Sequence, residues 1–198
     1  MGASPVMPEN RLSVTPKRSS LVFAHPQPSL TESLHIGGVA LNDPSQGLRV
    51  QTWTCTTDGS RVFIRGETVP QTTLFTGTGI TEVSLAFDRN MNPFVAFVEG
   101  GVARYWWFNT AIGQRVTSTL PVGSISPRAV LDDVRESQGE FADIILAYQQ
   151  GRNLLYRQQR DNYNIERTLS TTLSHNFTFV GMARNLTLHF ALGGAPIP

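Results

Sequence analysis

The chain has little of what reactive chemistry needs. Its 198 residues include one cysteine, Cys55, which excludes an internal disulfide framework and a multi-cysteine zinc cage. The four histidines, His25, His35, His175 and His189, never stand at i, i+2 or i, i+4, so no pair is spaced to grip a metal. Charged residues make up 16% and the formal net charge is +1, so neither nucleic acid nor an anionic membrane is expected as a partner by bulk attraction. No apolar run reaches the roughly 18 residues of a membrane span. The opening MGASPVMPENRLSVTPKRSS has no apolar core of a secretory signal, and its sixth residue, Val6, is wrong for myristoylation. No G-x-S-x-G elbow, phosphate loop or dinucleotide fingerprint occurs. The one carboxylate cluster, Asp132-Asp133 with Glu136 and Glu140, lacks the alternating pattern and glycine of a calcium loop and reads as a solvated loop. Asn176-Phe177-Thr178 and Asn185-Leu186-Thr187 match the glycosylation acceptor pattern, but without a signal peptide they read as chance. No catalytic residue, cofactor or metal is expected.

What is present is strand signal. Val83 to Phe108 reads VSLAFD, RNMN, PFVAFV, EGG, VARYWWF: three apolar or alternating runs joined by two polar turns. Val, Phe, Tyr and Trp suit a pleated, half-buried backbone. Val83, Leu85 and Phe87 alternate with Ser84, Ala86 and Asp88, the period of a strand. Pro93 belongs at a strand start, and Gly100-Gly101 supplies the positive φ of a tight hairpin turn. This predicts an antiparallel meander with one wet face and one buried face.

Around it the same pattern recurs. Leu48–Cys55 and Arg61–Arg65 flank the turn Asp58-Gly59. Gly66, Pro70, Gly77 and Gly79 punctuate a loop or a loop with one short edge strand. Val116 to Ser126 reads as a Thr/Ser-rich link. Further strands are expected at Arg128–Asp132, Phe141–Tyr148, Asn153–Gln159, Tyr163–Leu169, Phe177–Val180 and Asn185–Leu192. Aligned on Gly59, Gly101 and Gly151, with Arg184 opposite Arg152, the residues that follow form columns. One of these, Ile64, Trp106, Tyr156 and Leu188, is wholly apolar or aromatic. Repeats of about 40–50 residues suggest propeller blades. The predicted fold is all-β, of antiparallel meanders that are propeller-blade-like or stacked as a sandwich. There is room for about four blades at best, so closure would need another subunit or chain.

Residues 1–45 differ. Pro5, Pro8, Pro16, Pro26, Pro28 and Pro44 break every candidate helix. The expectation is an extended or disordered arm ahead of a β domain at 46–198. A sharper alternative is an arm that orders on a neighbouring subunit through Leu21-Val22-Phe23 and Leu34-His35-Ile36. The other expected interaction surface is Tyr105 and Trp107, which share one side of their strand opposite Trp106. If exposed, they would suit a subunit contact or sugar stacking; the alternative is core packing on both faces.

Two segments, LAFDRNMNPFVAFVEGGVARYWWF and DIILAYQQGRNLLYRQQRDNYNIERTL, resemble virion structural proteins of tailed bacteriophages. The resemblance rests on strands and turns. It implies a non-enzymatic structural component of a tail, fibre attachment or head–tail junction, located in the virion after assembly in the host cytoplasm. The implied partners are other virion proteins and further copies of the same chain. The competing class is a carbohydrate-binding module that takes a host glycan on Tyr105 and Trp107. A third class, a hydrolase on a propeller-like scaffold, predicts an inward cluster of Asp, Glu and Arg, for which Arg104 is the main misfit residue.

Overall fold

A computed structural model describes residues 30–39, 50–88, 90–133, 142–182 and 188–197. Among them the chain forms strands and one short 3-10 turn, Gln159–Asp161. The first sheet is the meander β1 (Glu32–Val39), β2 (Val50–Thr57), β3 (Arg61–Gly66) and β4 (Thr72–Thr76). The second is β5 (Ile80–Phe87), β6 (Pro93–Glu99), β7 (Val102–Asn109) and β8 (Gln114–Thr119). The third is β9 (Ser124–Asp133), β10 (Ala142–Gln150), β11 (Asn153–Gln158) and β12 (Arg167–Ser170). A fourth sheet holds two described strands, β13 (His175–Met182) and β14 (Leu188–Pro196). Every pairing is antiparallel between chain neighbours. No sheet closes into a barrel, and the described residues do not complete a propeller.

The sheets stack face to face in chain order. Trp53, Cys55, Val62 and Ile64 of the first sheet pack on Val83, Leu85, Phe87, Val95, Phe97 and Trp106 of the second. The opposite face of the second sheet, with Phe94, Tyr105 and Trp107, packs on Ile144, Leu146, Tyr148 and Leu155 of the third. The expected wet face of Val83–Phe108 is therefore wrong, because both faces are covered. A strand buried on both sides needs no alternation, which is why β6 reads as the continuous run PFVAFV. The wet strands are the fourth of each four-stranded sheet; β8 alternates between exposed and half-buried positions.

The first strands of successive sheets pack against one another. Two serines fasten them. The Leu85 amide donates to Ser33 Oγ at 3.0 Å, and the Ala129 amide donates to Ser84 Oγ at 2.9 Å. Each bond satisfies a strand amide that has turned away from its own ladder. The next position in this series is Arg128, the residue before Ala129.

Other boundaries shift from expectation. Glu32–Val39, placed in the arm by composition, pairs along β2 from Glu32 opposite Thr56. The supposed link Val116–Ser126 overlaps β8, hidden because its side chains are polar, and the start of β9. The turns at Gly59, Gly101 and Gly151 do open β3, β7 and β11 with positive φ, but the columns slip: β7 starts one residue nearer its glycine than β3 and β11 do, so Trp106 faces the preceding sheet whereas Ile64 and Tyr156 face away from it. The fourth member does not fit: Leu188 and His189 open the second strand of their sheet, not a third. The expected strand ends Leu48, Arg49, Phe141 and Asn185–Thr187 lie outside the described residues, as do Leu21, Val22, Phe23 and His25.

Candidate functional site

The richest polar arrangement sits where the second and third sheets meet. Asp88 ends β5 and is buried. Its Oδ1 accepts the amides of Asn90 at 2.9 Å and Asn92 at 2.8 Å, so one carboxylate folds the turn into β6. Met91 takes a positive φ of 61° within that turn. Asp88 Oδ2 accepts from Asn92 Nδ2 at 3.0 Å and faces Gln159 Nε2 at 3.4 Å, a reach across to the third sheet.

From the third sheet, the 3-10 turn ends in two consecutive left-handed residues, Asn162 and Tyr163, with φ of 50° and 58°. A side chain other than glycine is strained there and is held by its surroundings. The Tyr163 amide donates to the Gln158 carbonyl at 3.0 Å, and Arg157 Nη1 donates to the Tyr163 carbonyl at 3.1 Å. The ring is driven into the aromatic core, with centroids 5.1 Å from Phe94, 5.2 Å from Tyr105 and 5.0 Å, edge-on, from Trp107. Tyr163 is 1% exposed, and its hydroxyl has no hydrogen-bond partner. Burial pushes that hydroxyl's pKa well up, with Asp143, Tyr105 and Asp88 adding to the same direction.

Asp88, Asn92, Phe94, Trp107, Gln159 and Tyr163 line a narrow cleft. Charged groups brace the loop beside it. Asp143 accepts Arg160 Nε at 2.5 Å and the Arg160 amide at 2.9 Å. Arg167 pairs with Asp161 at 2.5 Å. Arg157 Nε donates to the Tyr148 hydroxyl at 3.0 Å, and that hydroxyl donates to Glu166. Burial raises the Asp143 carboxyl's pKa, opposed by Arg160, and raises the Tyr148 hydroxyl's, with Glu166 adding to it. No histidine or cysteine enters the cluster, and its acceptors are occupied by its own donors. Its chemistry is that of a brace between sheets.

A second buried polar centre lies between β5 and β9. Arg128 has a side chain 2% exposed, and Nη1 donates to Glu82 Oε2 at 2.8 Å and to the Pro127 carbonyl at 2.9 Å. Nε and Nη2 have no partner. Where the preceding sheets place Ser33 and Ser84, the third places this guanidinium, which turns back to the second sheet.

The residues singled out from sequence are scattered. Tyr105 and Trp107 are each 5% exposed, which corrects the expected exposed platform: the third sheet and Tyr163 cover them. Core packing on both faces holds, and the sugar-stacking reading loses its surface. Arg104 pairs with Glu99 at 3.2 Å across the β6–β7 hairpin and joins no inward acidic cluster. His175 is exposed, its Nδ1 3.0 Å from Ser174 Oγ. The Asn176 amide oxygen accepts from Gln149 Nε2 at 2.7 Å. No group of three or more metal-ligating side chains occurs among the described residues. Asp88, Tyr163 and Arg128 carry no site signal in the sequence, since a left-handed tyrosine and a buried arginine leave no mark on composition. Alternation and the D-x-N-x-N spacing of Asp88, Asn90 and Asn92 were the only available hints.

The fold and these centres define an all-β protein of serial antiparallel meanders braced by buried polar contacts. No protein-family model, no curated protein and no solved structure matches the chain. No described helix is long and apolar enough to cross a membrane.

Proposed function

We propose that the chain is a structural component of a phage virion, from a tail, a fibre attachment or a head–tail junction, and that it works through contacts between symmetric copies. Its meanders are blade-like, and it does no chemistry of its own. The observation that carries this reading is a set of exposed apolar side chains at one end of the sheets. Leu30 precedes β1, and its carbonyl accepts the amide of Val83, in the first half of β5. Val102 opens β7 opposite Glu99, which itself faces Ile80, so it shares that end. Val122, 98% exposed, sits on the link into β9, and Ile125, also exposed, is the second residue of that strand. Large apolar groups gathered at one end of three successive sheets suit a contact surface. Buried polar braces make the sheets a stiff body, and repeated weak contacts gain from many copies bound together.

The test has two arms. Sedimentation of the protein should show a concentration-dependent oligomer, and the double variant V102D/V122D should shift it to the single-copy mass without lowering Tm. Mass spectrometry of particles purified from the source should find this chain's peptides. A protein that stays single-copy at every concentration, or its absence from particles, overturns the proposal.

A further inference from the structure

The exposed apolar side chains that carry the assembly reading gather at the end where β1, β5 and β9 begin. The opposite end has its own. β7 and β11 both run away from the first end, and each turns back through a loop into the fourth strand of its sheet. The β7–β8 turn carries Ile112, 57% exposed, and the β11–β12 loop carries Ile165, 50% exposed. Both loops are fixed by their own backbone. The Ile112 amide donates to the Asn109 carbonyl at 3.3 Å, and the Asn164 amide, just before Ile165, donates to the Asp161 carbonyl at 3.0 Å. The two isoleucines occupy counterpart positions, each between the third and fourth strands of its sheet.

The two ends match in spacing, in charge and in size. Val102 opens β7 of the second sheet, and Val122 leads into the third. Ile112 and Ile165 belong to the same two sheets. Stacked sheets lie about 10 Å apart, so one stacking distance sets both pairs of tips. The tips themselves are uncharged: Gly100-Gly101-Val102 and Pro121-Val122-Gly123 at one end, Thr110-Ala111-Ile112-Gly113 at the other. Charged groups close to Val102 and Ile165 in sequence are already paired, Arg104 with Glu99 and Arg157 with Glu166, each at 3.2 Å. Bringing the ends together therefore sets no bare like charges against each other. Three sheets of four strands present an end of about 20 by 30 Å, from strand spacings of about 4.8 Å and sheet spacings of about 10 Å. Covering that end on both partners removes about 1,200 Å², the lower bound for a specific protein contact.

We infer that copies of the chain stack head to tail, the end with Val102 and Val122 of one copy seated on the end with Ile112 and Ile165 of the next. The inference rests on the assembly reading and says which surfaces meet. A joint between two unlike surfaces leaves one of each free on every short run of copies. It therefore grows into a ring or an open filament and does not stop at two.

Sedimentation of the parent and two double variants, alone and mixed, tests it. I112D/I165D should lower the association constant at least about tenfold, as V102D/V122D does, because each aspartate must be desolvated without a partner. Tm should stay at the parent value, since all four replaced side chains are exposed. If aspartates lower it, serines at the same positions take their place, with the same outcomes expected. Each variant keeps one sound end, and the two sound ends are complementary. Mixed in equal amounts, the variants should form a complex of two copies and nothing larger. A mixture that stays single-copy overturns head-to-tail stacking. So does an I112D/I165D protein that associates like the parent. If V102D/V122D is then single-copy, the contact joins two like ends and the assembly reading stands without this inference. A parent that is single-copy at every concentration overturns both.

Discussion

Replacing Glu82 with Gln is the sharpest test of the buried polar centre. Arg128 is among the largest fully buried side chains, and Glu82 is the carboxylate that pairs with it, at 2.8 Å. Opposite charges about 4 Å apart interact by about 4 kcal/mol at an effective dielectric near 20. The glutamine keeps shape and leaves the guanidinium buried, with Nε and Nη2 already unpartnered. The expected loss is about 3–5 kcal/mol, the usual cost of orphaning one member of a buried pair. In a domain of this size that lowers Tm by roughly 6–20 °C. Arg128→Met removes the other charge, and the double variant E82Q/R128M should recover to within about 2 kcal/mol of the parent, since no buried charge is then left without its partner. Urea unfolding followed by tryptophan fluorescence reads all four proteins, because Trp53, Trp106 and Trp107 are all buried. A loss below about 1 kcal/mol for E82Q, or additive losses in the double variant, would refute the reasoning.

Other outcomes follow from the same contacts. Tyr163→Phe deletes a buried hydroxyl that has no partner, so stability should hold or rise by about 1 kcal/mol in urea unfolding; a loss of that size would mean a water in the cleft holds the hydroxyl. Cys55 is fully buried and its thiol pKa is raised by that burial, so a disulfide reagent should modify it only at the rate of opening; rapid labelling of native protein would contradict this. Asp143 and Asp58 should move the pH profile of stability in opposite senses. Asp143 has a raised pKa in the folded protein, so its contribution is full below 3.8 and is lost as pH rises through the raised value. Asp58, lowered by hydrogen bonds from Ser60 and Arg61, contributes above 3.8 and loses that as pH falls. Asp143→Asn should therefore remove a gain on acidification and Asp58→Asn a loss; identical profiles for both would refute the assignment.

Much of this fold is legible in the sequence, and the failures share a cause. β6 and β7 announce themselves through PFVAFV, Gly100-Gly101 and RYWWF. β8 does not, because QRVTST is an outer strand whose side chains meet water, and a polar strand resembles a link. β1 was lost among prolines although Ser33 fastens it to Leu85. Period-two patterning separates the two faces of a strand but not a wet face from one covered by another sheet, so Tyr105 and Trp107 looked available. The brace at Asp88 and Tyr163 joins residues 75 positions apart, and only the stacking of sheets brings them together.

Because every described strand pairs with its chain neighbour, each meander can zip up as it leaves the ribosome, without waiting for distant sequence. Ser33 and Ser84 then act as latches that let each finished meander hold the next as it emerges. Shortening the gene from its far end should therefore remove whole layers in turn and leave the earlier ones standing.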